Sequence, residues 1–149
     1  MSAFGIPIDL DQIVIVPPGA PKRDVLDMLV DVVTKDPGVF DREALRDAVF
    51  ERESVSSTGI SNGIAIPHVR LKGIEKATLA VAVAPDGIDF AAMDNKPVHV
   101  IVFFVMSEGA DKEYLGLLAK VMLTLRNKDI FNEFVGCKTA QEVHALLND

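Results

Sequence analysis

Val98-His99-Val100-Ile101-Val102-Phe103-Phe104-Val105-Met106 is apolar at every position except His99. A strand with one wet face alternates apolar and polar residues, so an unbroken run of this kind predicts a strand covered on both faces. Ala77-Thr78-Leu79-Ala80-Val81-Ala82-Val83-Ala84 reads the same way. After it, Pro85-Asp86-Gly87 predicts a turn, and Ile88 to Phe90 predicts a further short strand. Strands buried on both faces need helices above and below them, which makes this an α/β layered domain with a central sheet. The order of strands in that sheet cannot be read from these residues.

The surrounding chain supplies the layers. Ile13 to Val16 is extended and is followed by Pro17, Pro18, Gly19 and Pro21, which disfavour helix. From Lys22 to about Lys35, Leu26, Leu29, Val30 and Val33 recur at helical spacing, and Pro37-Gly38 ends the pattern. Asp41 is placed to cap a second helix, with Ala44, Leu45, Ala48 and Val49 as its apolar stripe, running to Arg52 or Glu53. Asp111 is read as the cap of a third, whose inward stripe is Leu115, Leu118, Met122 and Leu125. A short helix over Asp129 to Val135 ends near Gly136. Thr139-Ala140-Gln141-Glu142 forms a capping box for a last helix with Val143, Leu146 and Leu147 inward. No repeat or linker divides the chain, so one domain is expected over residues 1–149, with a lead-in at 1–9.

Composition narrows the function classes. The chain has 149 residues, of which 15 are Lys or Arg and 22 Asp or Glu, for a net charge of −7. That balance opposes sequence-independent binding to nucleic acid or anionic membranes and favours a basic partner. Cys137 is the single cysteine, which excludes an intrachain disulfide and a Cys-rich zinc site and suits a cytoplasmic location. No targeting segment is visible, and the Val100 to Met106 run is too short to span a membrane.

P-loop, G-x-G-x-x-G, G-x-S-x-G and H-E-x-x-H signatures are all absent. His68, His99 and His144 fall on different predicted elements without metal-ligand spacing, so no metal and no cofactor are expected. His99 reads as an edge or packing residue and His144 as an exposed helix residue. His68 has a different setting. The polar stretch Ser54 to Gly63 predicts a shaped loop leading into a short strand, Ile64-Ala65-Ile66-Pro67, with His68 at the strand's end. An imidazole titrates near neutrality and offers an unprotonated nitrogen as nucleophile or base. The upstream hydroxyls and backbone N–H groups could receive an anion, and Gly63 would permit close backbone approach. On context alone, His68 could equally be an exposed turn residue.

Arg52 stands sixteen residues before His68 and Thr58 ten before it, and Gly63-Ile64-Ala65-Ile66-Pro67-His68 closes the segment. This stretch resembles the active-site segment of the enzyme IIA domains of the fructose, mannitol and nitrogen-regulatory branch of the bacterial phosphotransferase system. The flanks, including Asp94-Asn95-Lys96-Pro97-Val98 and the closing leucine-rich helices, agree over nearly the whole chain. The resemblance implies a three-layer α-β-α domain with a mixed sheet. His68 would accept a phosphoryl group from a histidine-containing phosphocarrier protein. It would pass the group to a sugar permease component or use it as a signal to a regulated target protein. The resemblance also implies that Arg52 stabilises the phosphoryl group, with Thr58 and Ser57 offering hydroxyls. Sugar-transporting and nitrogen-type members usually carry a second histidine where this chain has Tyr114, which can donate a hydrogen bond but cannot become an imidazolium. A binding module that has kept the fold and lost efficient transfer is the rival reading, and a hydrolase using His68 as base is a weaker third.

Overall fold

The computed structural model describes residues 3–35, 41–60, 62–74 and 77–148. Among them, five strands form one mixed sheet: β1 (Ile13–Ile15), β2 (Ile64–Ala65), β3 (His68–Leu71), β4 (Thr78–Ile88) and β5 (Val98–Ser107). The helices are α1 (Lys22–Val33), α2 (Arg42–Val55), α3 (Asp111–Arg126), α4 (Lys128–Val135) and α5 (Ala140–Asn148), with a 3-10 turn at Leu10–Gln12. The strand order is β1-β4-β5-β2, and β3 also pairs with β5. β4 and β5 are antiparallel, whereas β1 runs parallel to β4, and β2 and β3 run parallel to β5.

The continuous apolar runs are explained by pleating. Ala80, Ala82 and Ala84 of β4, with Ile101, Phe103 and Val105 of β5, face a layer made by Val25, Leu26, Leu29, Val30 and Val33 of α1 and Leu45 and Val49 of α2. The intervening residues Leu79, Val81, Val83, Val100, Val102 and Phe104 face Val121, Leu125, Phe134, Val143 and Leu147 from the three C-terminal helices. Successive side chains of a strand point to opposite faces, so both sets must be apolar when both faces are covered. On the α1–α2 face small residues oppose large ones in register, Ala80 to Phe103 and Ala82 to Ile101, which lets the helices approach closely without voids.

Several boundaries differ from the sequence reading. The strand holding His68 does not end there: β2 stops at Ala65, and His68 opens β3 with Phe104 as its register partner. Register is continuous across the break, because Ile64 pairs with Val100 and His68 with Phe104. Pro67 has no N–H to give to the ladder, an omission tolerated on an edge strand, while its carbonyl still accepts from the Phe104 N–H at 3.0 Å. Pro85-Asp86-Gly87 is a bulge inside β4 rather than a turn, since pairing shifts between Val83 and Ile88. Ile88 is therefore the last residue of β4 and not the start of a new strand.

The helix ends also move. α2 continues to Val55, and Ala44 is exposed rather than part of its buried stripe. Ala110, not Asp111, is the N-cap of α3. Leu115 is 61% exposed, while Tyr114, Val121 and Leu125 are buried. With apolar residues all around α3, spacing alone did not select the face that packs on Phe104. His144 is half-buried rather than exposed. The Pro37-Gly38 stop lies outside the described residues.

Asp41 does cap α2, its carboxylate accepting from the Ala44 N–H at 3.0 Å. Asp41→Ala leaves that donor without its partner and should cost about 1 kcal/mol. Urea denaturation should show a lower midpoint with an unchanged slope, and an unchanged midpoint would mean the cap contributes nothing.

Candidate functional site

The site is assembled where β3, the end of α2 and the start of α3 meet. His68 is half-buried, and its Nδ1 lies 2.9 Å from the Ile66 carbonyl oxygen. A carbonyl only accepts, so Nδ1 is the donor, and in the neutral ring the lone pair is left on Nε2. The Ile66 N–H is turned to the Thr58 carbonyl at 3.1 Å, and the Ile66 carbonyl is taken by the imidazole.

Tyr114, in the first turn of α3, packs against that imidazole with ring centroids 5.0 Å apart and planes inclined by 31°. Its other side meets Phe104 edge-on, with centroids 5.6 Å apart. Phe104, Tyr114 and His68 thus form a column from β5 through α3 to β3, which holds the imidazole against a rigid core residue. Burial pushes the Tyr114 hydroxyl above its ordinary value of 10.0, while the positive charges of Arg70 and then Arg52 pull it partly back. Both guanidinium groups therefore act electrostatically on the Tyr114 hydroxyl.

Tyr114 is the single tyrosine, and tryptophan is absent, so tyrosinate absorbance reports on this position alone. The neutral phenol is favoured in the folded state. That contribution to stability is complete below the ordinary value and is lost as pH rises through the raised one. The absorbance titration should have its midpoint above 10.0, moving higher when His68 is phosphorylated because a neighbouring dianion opposes tyrosinate. A midpoint at or below the ordinary value would contradict this placement.

Arg52 lies in the last turn of α2, where Nη1 donates to the Ser56 carbonyl at 2.8 Å and so satisfies one of the helix's terminal acceptors. The loop hydroxyls are directed into the loop and not to His68. Thr58 is buried and its Oγ1 donates to Glu53 Oε2 at 2.6 Å. Ser57 Oγ donates to the Phe90 carbonyl at 2.8 Å and accepts from the Gly59 N–H at 3.0 Å. Gly63 has φ of +82°, and a Cβ there would stand 2.8 Å from the Phe131 ring, so close packing requires glycine. His99 stands away from the imidazole column: its Nδ1 is 2.9 Å from the Ala84 carbonyl and its ring meets Phe131 edge-on.

Two participants went unread in the sequence. Arg70 is two residues beyond His68, so on β3 both occupy one side of the strand. Reading the strand through to Leu71 would have revealed it. Glu53 is a buried carboxylate paired with Lys22 and Thr58, and no spacing rule singles it out beside Arg52. Among the described residues no three His, Cys, Asp or Glu side chains are placed to hold a metal ion, and no helix is long and apolar enough to cross a membrane.

The chain is an α/β protein with a sheet layered by helices on both faces, and on an edge strand an imidazole is held between a backbone carbonyl and a tyrosine ring. The family model for the phosphoenolpyruvate-dependent sugar phosphotransferase system, EIIA 2, matches residues 7–149, and the chain belongs to that family. It is 31% identical over 138 residues to the phosphotransferase system fructose-specific EIIA component of Haloferax volcanii, covering 93% of this chain and 90% of that one. It is 32% identical over 132 residues to the nitrogen regulatory protein of Pseudomonas aeruginosa, covering 89% and 86%. The crystal structure of nitrogen regulatory protein IIA-Ntr from Neisseria meningitidis superposes with a TM-score of 0.83 at 28% identity, covering 94% of this chain and 95% of that one. Against the longer fructose-specific EIIABC component of Bacillus subtilis, 31% identical over 127 residues, the chain spans 20% of the length.

Proposed function

We propose that this chain is a phosphocarrier of the phosphotransferase system, taking a phosphoryl group on His68 from a histidine-containing phosphocarrier protein. The observation that carries the reading is the Nδ1 to Ile66 carbonyl bond, which leaves Nε2 as the nucleophile. The Nε2 lone pair attacks phosphorus as the donor's N–P bond breaks and its electron pair returns to the donor imidazole. His68 becomes a phosphoimidazolium whose remaining ring proton stays on Nδ1, hydrogen-bonded to the Ile66 carbonyl. Such transfer needs positioning and screening of the phosphoryl oxygens more than covalent help from the protein.

Arg52 supplies that screening, its planar fork matching two oxygens at once. Tyr114 holds the ring and offers a neutral hydroxyl, and Thr58 acts by ordering the loop. The group then passes to a sugar permease component, or the phosphorylated surface is itself the signal to a regulated target protein. A new dianion on a half-buried ring is a change large enough to reset an interface.

Incubation with labelled phosphoenolpyruvate, enzyme I and the phosphocarrier protein tests the reading, with acid-labile, alkali-stable label as the expected result. The placement of a neutral tyrosine against His68 favours the second reading, a binding module with weakened transfer. Absence of label on a folded chain would reject the phosphocarrier and leave the module.

A further inference from the structure

We infer that Glu53 is a positioning residue for transfer at His68, held in place from α1 by Lys22; the inference rests on the phosphocarrier reading above. The Glu53 side chain is 4% exposed and its Oε1 lies 2.9 Å from Lys22 Nζ, whose own side chain is 22% exposed. Oε1 also accepts from the Thr58 N–H at 3.1 Å, and Oε2 accepts from Thr58 Oγ1 at 2.6 Å. One bond holds the backbone of Thr58 and the other its side chain.

From there the connection to the imidazole is short. The Thr58 carbonyl accepts from the Ile66 N–H, and the Ile66 carbonyl accepts from His68 Nδ1. Glu53 therefore determines, through two backbone groups, where the acceptor that selects the ring tautomer sits. Lys22 reinforces the same loop, with Nζ 3.5 Å from Ser57 Oγ and 4.4 Å from the centre of the Phe90 ring. A carboxylate buried away from water persists only when it is paired and fully hydrogen-bonded. Here its partners are one cation and the loop that carries Thr58. The arrangement makes α1, which contributes nothing to the chemistry, a support for the reacting nitrogen.

Glu53→Gln, Lys22→Met and the double variant test this in the full chain, with the phosphorylated phosphocarrier protein as donor. For Glu53→Gln, kcat should fall about 10- to 100-fold, the loss typical of a misplaced reacting group, while KM for the donor stays within about twofold. Nitrogen NMR of the His68 ring should show the Nδ1–H tautomer losing its dominance, a signature that a general loss of stability would not produce. Lys22→Met, which keeps an unbranched chain of similar length at a partly buried position, should move both readings the same way. The double variant should transfer faster than Lys22→Met alone, because it removes the buried charge left unpaired. Wild-type kcat and an unchanged ring signature in Glu53→Gln and Lys22→Met, or a rise in KM alone, would overturn the inference. An unlabelled wild type defeats the phosphocarrier reading and this inference together, whereas a labelled wild type with unaffected variants defeats this inference alone.

Discussion

His68→Ala should lose all transferable label, a drop of at least about a thousandfold, as expected when the covalent nucleophile itself is removed. No other histidine is placed to substitute: His99 donates to the Ala84 carbonyl beside Phe131, and His144 lies on α5. The fold should survive. The truncation removes the ring contact with Tyr114, and an aromatic pair contributes about 0.5–1.5 kcal/mol beyond its buried area. Phe104 and Tyr114 still meet edge-on. Transfer and thermal midpoint measured on one preparation therefore separate chemistry from folding. Label retained in the folded variant would place the phosphoryl group elsewhere.

Arg52→Gln should slow transfer about a hundredfold while changing stability little. The two effects have different sizes because the residue has two roles. As a helix-end cation it donates to the Ser56 carbonyl, and a charge at a helix C-terminus contributes about 0.3–1 kcal/mol. As the group that screens a developing phosphoryl charge, it belongs to the interactions whose removal costs about two to three orders of magnitude in rate. Arg52→Lys keeps the charge and loses the fork, and should fall between the two. Stopped-flow transfer beside denaturant unfolding checks this. A rate that falls only as far as stability does would reduce Arg52 to a helix cap.

The layers were legible because apolar patterning dictates them. The runs at Ala77 and Val98 demanded cover on both faces, and α1 and α2 announced their buried sides through Leu29, Val30, Leu45 and Val49. Breaks were harder. A proline and a Pro-Asp-Gly signal both mark departures from regular structure, but the sequence does not distinguish a bulge within β4 from a turn. Nor does it distinguish the end of a strand from the two-residue interruption between β2 and β3. Both outcomes depend on whether β5 continues alongside, which is a long-range fact. The buried face of α3 is not legible at Leu115, which is exposed, because apolar residues encircle the helix.

The candidate site divides in the same way. His68, Arg52, Thr58 and Tyr114 stood out through the resemblance of one segment and its flanks, and the structure places Tyr114 in ring contact with His68. The Lys22, Glu53, Thr58 and Ile66 connection was invisible, because it joins α1 to α2 and the loop through bonds that no local pattern encodes. The hydroxyl of Thr58 shows the difference most plainly. Its type suggested a donor to the anion, whereas its bond to Glu53 makes it part of the scaffold.

The most direct test of the account is which atom receives the phosphoryl group. Phosphorus–nitrogen coupling in the ring-labelled, phosphorylated chain should locate it on Nε2 of His68, with the remaining ring proton on Nδ1. Phosphorus on Nδ1, or on a residue other than His68, would contradict it.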